Sequence, residues 1–206
     1  MGQNALTSLN AISSLTGLTE LDVSFNALTT LAPLSGCWSM NSLLANNNQI
    51  NTLEGVDRLS ELRILNLSKN QLTDVSILAG NTALVELNFG SNSVTDISSL
   101  STLTNLELFT FSFNEATSLP AWPDGSKLRS IDGTNNQVTS LDSLKNMHSL
   151  THILMDYNSI TSVDPVANCY NLVQINVYGN AIPNVDSLKD RDIIVNWDPT
   201  LAETTE

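Results

Sequence analysis

Nine asparagines, Asn4, Asn26, Asn48, Asn70, Asn92, Asn114, Asn136, Asn158 and Asn180, each stand 22 residues from the next, with no insertion or deletion between them. A fixed period of this length is the signature of stacked repeat units. Around each asparagine runs the frame L-x-x-L-x-L-x-x-N-x-L-x-x-L-x-x-L. One copy reads Leu18, Leu21, Val23, Asn26, Leu28, Leu31, Leu34, and another reads Leu84, Leu87, Phe89, Asn92, Val94, Ile97, Leu100. The last full copy reads Leu172, Ile175, Val177, Asn180, Ile182, Val185, Leu188.

One unit is too small to bury its own apolar stripe, so successive copies must stack. The alternation in Leu65-Asn66-Leu67 is that of a half-buried strand. Like strands stacked in sequence form a parallel sheet at a spacing of about 4.8 Å. The return path, apolar at every third position, predicts a short 3₁₀ or irregular turn. Where the chain bends inward after the strand, its amides and carbonyls lose their sheet partners. An asparagine side chain offers both a donor and an acceptor, and leaving such groups unpaired costs roughly 1–3 kcal/mol each. The nine asparagines are therefore expected to be a structural column that satisfies the turn backbone and each other.

This frame resembles the leucine-rich repeat family, and "LVELNFGSNSVTDISSLSTLTN" is most similar to the 22-residue repeats of bacterial internalin-type surface proteins. The resemblance implies an α/β-type solenoid: a right-handed arc with a parallel sheet on its concave face and short 3₁₀ or irregular turns on its convex face. It also implies a non-enzymatic module that binds a protein partner, in a secreted or surface-displayed bacterial protein. Two other readings stay open: an intracellular regulatory repeat protein of the same period, and a rigid spacer without a ligand.

Eight complete repeats begin at Leu18, Met40, Leu62, Leu84, Leu106, Leu128, Leu150 and Leu172, filling 18–193. Residues 1–17 match the second part of a repeat, so an uncapped, truncated start is expected. In 194–206, Ile194 and Trp197 fall on the first and fourth positions of a ninth repeat, which closes the core before an acidic tail, "LAETTE". In "LPAWPDGSK", Trp122 stands where leucine is usual, and Gly133 takes an inward strand position beside Phe111. A large residue beside a small one reads as local repacking.

The net charge is −13, with 8 basic residues against 21 acidic ones. Nucleic-acid binding needs clustered Lys and Arg, and none are clustered here. A neutral or basic protein partner suits such a surface. No apolar run is long enough to span a bilayer, and no cofactor is expected. The oligomeric state is not legible.

Several constellations have bland explanations. Cys37 and Cys169 share one repeat position but lie six repeats apart, roughly 29 Å at the strand spacing, too far for a disulfide. They read as buried thiols in leucine slots. Asp142, Asp164 and Asp186 form a column that could collect calcium, although its place before the return turn favours capping. Ser130, Asp132 and His152 invite comparison with a hydrolase triad, but an open sheet offers no walls around them, so no catalytic residue and no metal site is expected. The sequon at Asn66 lies within a strand.

What varies between repeats is the outward face. Counting each repeat's first apolar residue as position one, the face comprises positions three, five, seven, eight and ten. Most residues there are small and polar, with two groups of exceptions: Ile64, Leu108 and Phe113 in the middle, and His152, Leu154, Tyr157 and Tyr178 near the C-terminal end, flanked by Asp132 and Asp156. Outward aromatics among polar residues are what interface anchors look like, so these nine are the expected binding residues.

Overall fold

The structure, a computed structural model that describes residues 4–198, places nine strands in one parallel sheet. They are β1 (Glu20–Asp22), β2 (Ser42–Leu44), β3 (Ile64–Asn66), β4 (Glu86–Asn88), β5 (Leu108–Thr110), β6 (Ser130–Asp132), β7 (His152–Leu154), β8 (Gln174–Asn176) and β9 (Ile194–Asn196). Each pairs only with its sequence neighbours, in the order β1 to β9. From β1 to β8 the register is one repeat, so Leu21 faces Leu43, Leu43 faces Leu65, and so on. The return paths carry short 3₁₀ turns, such as Ser76–Gly80 and Ser98–Thr102. The core lies between sheet and turns and is filled by the repeated apolar positions, for example Leu62, Leu65, Leu67, Leu72, Val75 and Leu78.

The asparagines act on backbone. Asn70 Nδ2 donates to the carbonyls of Leu67 (2.9 Å) in its own coil and Ala45 (3.0 Å) in the coil before, while its Oδ1 accepts from Ile50 N–H at 2.9 Å. Asn114 does the same with Phe111, Phe89 and Val94, and Asn180 with Val177, Met155 and Ile160. From Asn48 to Asn180 every such bond runs to main chain, so the expected mutual bonding of the side chains is replaced by a link from each coil to its predecessor. The reason is geometric: the preceding coil presents a free carbonyl and a free amide at the height of each carboxamide.

The residue before each asparagine from Asn26 to Asn180 adopts a left-handed conformation. Phe25, Asn47, Lys69, Ser91, Phe113, Asn135 and Tyr157 have φ between 54° and 59°, and Gly179 has φ 71°. This conformation keeps the main-chain ladder running through the bend, with Asn47 N–H on Ser68 O (2.9 Å) and Lys69 N–H on Gly90 O (2.8 Å).

Three details differ from expectation. The turns are capped two residues earlier than the aspartate column: Asp74 Oδ1 accepts from Ser76 N–H at 2.7 Å and Asp96 Oδ1 from Ser98 N–H at 2.8 Å. Ser140 and Ser162 likewise accept from the amides of Asp142 and Asp164. Asp142, Asp164 and Asp186 are first residues of their turns and make no capping bond.

Second, the last coil is two residues short. Ile194 pairs with Gln174 and Val195 with Ile175, so Ile194 takes the outward third position and Trp197 the inward sixth. Arg191, in the column of Cys169, donates to the carbonyls of Val166, Ala167 and Cys169, and the chain then rejoins the sheet directly. Trp197 packs against the core, with its Nε1 on Ile182 O at 2.8 Å. Third, the coil after β5 has no 3₁₀ turn; buried Trp122 instead meets Phe109 edge-on at 5.8 Å, beside the stacked pair of Phe109 and Phe111. The expected tail after Thr200 and the first three residues lie outside the described residues.

Cys37 and Cys169 are free and buried, and burial pushes both thiols up. Each sulfur reaches a carbonyl one coil back, Ile12 and Leu144 respectively. Asn81 occupies the same column, donating to Val56 and Leu59.

Candidate functional site

The open face of the sheet is built by alternation: residues one and three of each strand point away from the core, and the bend places two further side chains at the strand ends. The outward residues are exposed or half-buried in all nine strands, and the middle residue is buried from β1 to β8.

The expected central group divides. Ile64 and Leu108 share a row, with Glu86 of the intervening strand between them. With Leu44, Asn66, Asn88 and Thr110 they line a shallow hollow of about 230 Å³. Phe113 is not part of that hollow: it stands five residues beyond Leu108, past the strand end, with its ring exposed. Leu44, outward at position five but outside the expected central group, also lines the hollow. Ile194, exposed on the same row as Gln174, was missed because the shortened coil shifts its register.

The C-terminal group is brought together more closely. Tyr157 and Tyr178 meet edge to face, with ring centroids 5.6 Å apart and planes at 77°. Tyr157 also lies over Gly179, where a Cβ would stand 2.6 Å from Tyr157 Cδ1. Both rings are about half exposed, yet each is fixed by its neighbours. Asp156 Oδ1 accepts from Tyr178 N–H at 2.7 Å. Burial pushes the Asp156 carboxyl above the usual carboxylate range; the Tyr178 amide opposes this, and repulsion from Asp132 adds to it. Leu154 lies between Asp132 and Asn176 in register.

His152 sits in register beside Ser130. Its Nδ1 is bonded to Thr151 Oγ1 at 3.0 Å, and Asp132 Oδ1 accepts from Thr134 N–H at 3.1 Å. His152 and Asp132 are thus each engaged by a neighbouring residue of their own coil rather than by one another. The Asn66 carboxamide likewise accepts from Ser68. Among the described residues, no group of three or more His, Cys, Asp or Glu could hold a metal ion, and no helix is long and apolar enough to cross a membrane. Lys145 lines the same hollow as Asp142 and Asp164.

Comparison with known proteins agrees with this geometry. Residues 60–101 match the family model for leucine-rich repeats in two copies. Internalin C2 from Listeria monocytogenes is 29% identical with a TM-score of 0.84, over 89% of this chain and 82% of that one. An internalin, inlF, from the same species is 25% identical with a TM-score of 0.76, over 95% of this chain and 65% of that one. The functional domain of InlJ from Listeria monocytogenes, which includes a cysteine ladder, shares the fold at 23% identity and a TM-score of 0.61, over 96% of this chain. The chain spans less than two thirds of the latter two, 65% and 52%. No curated protein sequence matches.

Proposed function

We propose that this chain, a leucine-rich repeat protein, is a non-enzymatic module that binds another protein through the concave face of its sheet, in a secreted or surface-displayed bacterial protein. The observation that carries the reading is the pair Tyr157 and Tyr178, two half-exposed rings packed edge to face on a mostly small and polar face. Exposed aromatics that lose little freedom on binding are the commonest anchors of interfaces. The apolar hollow between Ile64 and Leu108 offers a second contact area. Likeness to Listeria internalins supports the bacterial surface setting. The charge of −13 favours a basic or neutral partner and steers its approach.

The test is site-specific photo-crosslinking. Benzoylphenylalanine at Leu108 or Tyr178 should trap one protein reproducibly from host-cell or bacterial surface extracts, and that protein, purified, should bind the unmodified chain. The same probe at Ile77, exposed on a return turn, should not trap it. Equal trapping from both faces, or none from the sheet, would favour a rigid spacer.

A further inference from the structure

The C-terminal end of the sheet face carries chemistry more specific than apolar contact. Asp132 pairs in register with Leu154, two residues before Asp156, and its charge disfavours that of Asp156; among the described residues neither forms an ion pair with a Lys, Arg or His. Asp156 is anchored by the Tyr178 amide, which places its carboxylate at the base of the Tyr178 side chain. Tyr157, braced over Gly179, stands edge-on to Tyr178. Two half-exposed tyrosine rings and the Asp156 carboxylate thus share one patch, with Asp132 on the neighbouring strand, and the molecule's own field has the same sign as these carboxylates.

We propose that this patch is a receptor for one cationic side chain, a lysine or arginine in a basic segment of a partner protein, seated against the tyrosine rings and neutralised by Asp132 and Asp156. The inference rests on the protein-binding reading above and names the chemistry that one end of the face takes. Ring faces attract cations, and opposite charge relieves the repulsion that the two carboxylates now sustain. A leucine or methionine in the same place would leave that repulsion in force.

The test is an amide-resolved NMR titration of the full chain with capped glycine-serine peptides bearing one central residue. Lysine and arginine versions should shift the Tyr178 and Gly179 amides saturably, and the isosteric norleucine and citrulline versions should bind at least about threefold more weakly. The double variant Asp132→Asn, Asp156→Asn should lose the preference for cations. Asn66 and Asn88 already fill the position of Asp132 with the same bond, and a carboxamide at 156 keeps an oxygen that can accept the Tyr178 amide. Tyr178→Leu should weaken the cationic peptides alone. Equal binding of norleucine and lysine, shifts spread over the other aspartates, or no shift at Tyr178 would overturn the inference. The crosslinking result would stand in each case, so failure here is distinct from failure of the protein-binding reading.

Discussion

The α-carbon of Gly133 lies against the ring tip of Phe111, one coil earlier: any β-carbon there would collide with Phe111 Cζ and approach Met155 Sδ to 2.8 Å. Phe111 is fully buried and stacked on Phe109, so it has nowhere to retreat. Gly133→Ala should therefore destabilise the fold by about 1–3 kcal/mol through overpacking. Urea denaturation of Gly133→Ala, with Phe111→Leu added as the compensating change, checks this; a neutral single substitution would show that the stack yields.

Asn114 is a buried member of the amide column, and it serves Phe89 O, Phe111 O and Val94 N–H. Asn114→Ala strands these groups at roughly 1–3 kcal/mol each where water cannot enter. Loss of stability should exceed that of Asn26→Ala, whose side chain is only half-buried, and hydrogen exchange at Val94 should accelerate.

At position eight the chain holds ordinary residues in a left-handed conformation that glycine adopts without penalty. Lys69→Gly should raise stability by about 0.5–1 kcal/mol, and Lys69→Val should lower it. Phe113→Gly should also stabilise. If Phe113 contributes to binding, the same variant will bind its partner less well, and thermal melts paired with affinity measurements separate the two effects.

Three carboxyls make stability depend on pH, Asp156 in the opposite direction to the other two. Asp156 is held above its usual range, so its contribution is complete below the unfolded value of about 3.9 and is lost as pH rises through the folded value. Asp22, bonded by the Ser24 hydroxyl and amide, and Asp96, bonded by Ser98, are held low. Their contribution is present above the unfolded value and lost as pH falls through the folded one. Asp156→Asn should thus be more favourable relative to the parent near neutral pH than in mild acid. Urea midpoints across that range check the sign; a constant difference would contradict it.

The coil, its sheet and its core were legible because the frame never slips between Asn4 and Asn180. The left-handed bend was not, because Phe25, Lys69 and Tyr157 are residues whose preferences oppose it, and only Gly179 and the asparagines hint at it. The caps were misplaced because Ser and Asp occupy both candidate positions, and only geometry shows which oxygen faces the free amide. At the last strand, Ile194 and Trp197 fit the inward frame in the unshifted register and Val195 and Trp197 in the shifted one, so a two-residue contraction left no trace in the pattern. Of the expected face residues, Asp132, Leu154, Asp156, Tyr157 and Tyr178 are neighbours in space, whereas Phe113 stands apart from Ile64 and Leu108. Sequence spacing gives a residue's row but not which side of the bend its ring occupies.

From Asn48 to Asn180 each carboxamide of the column reaches back a single coil, to atoms that every coil offers in the same place. Excising or duplicating any whole 22-residue unit would rejoin equivalent donors and acceptors. As long as the interlocked coils of Phe111 and Gly133 stay together, length can therefore change by recombination without re-engineering the interior. Units inserted after them would lengthen the distance between the leucine hollow and the tyrosine pair in steps of one strand, about 4.8 Å. In that sense the polar column makes the molecule an extendable ruler, on which contact groups can be moved apart or together by gene slippage alone.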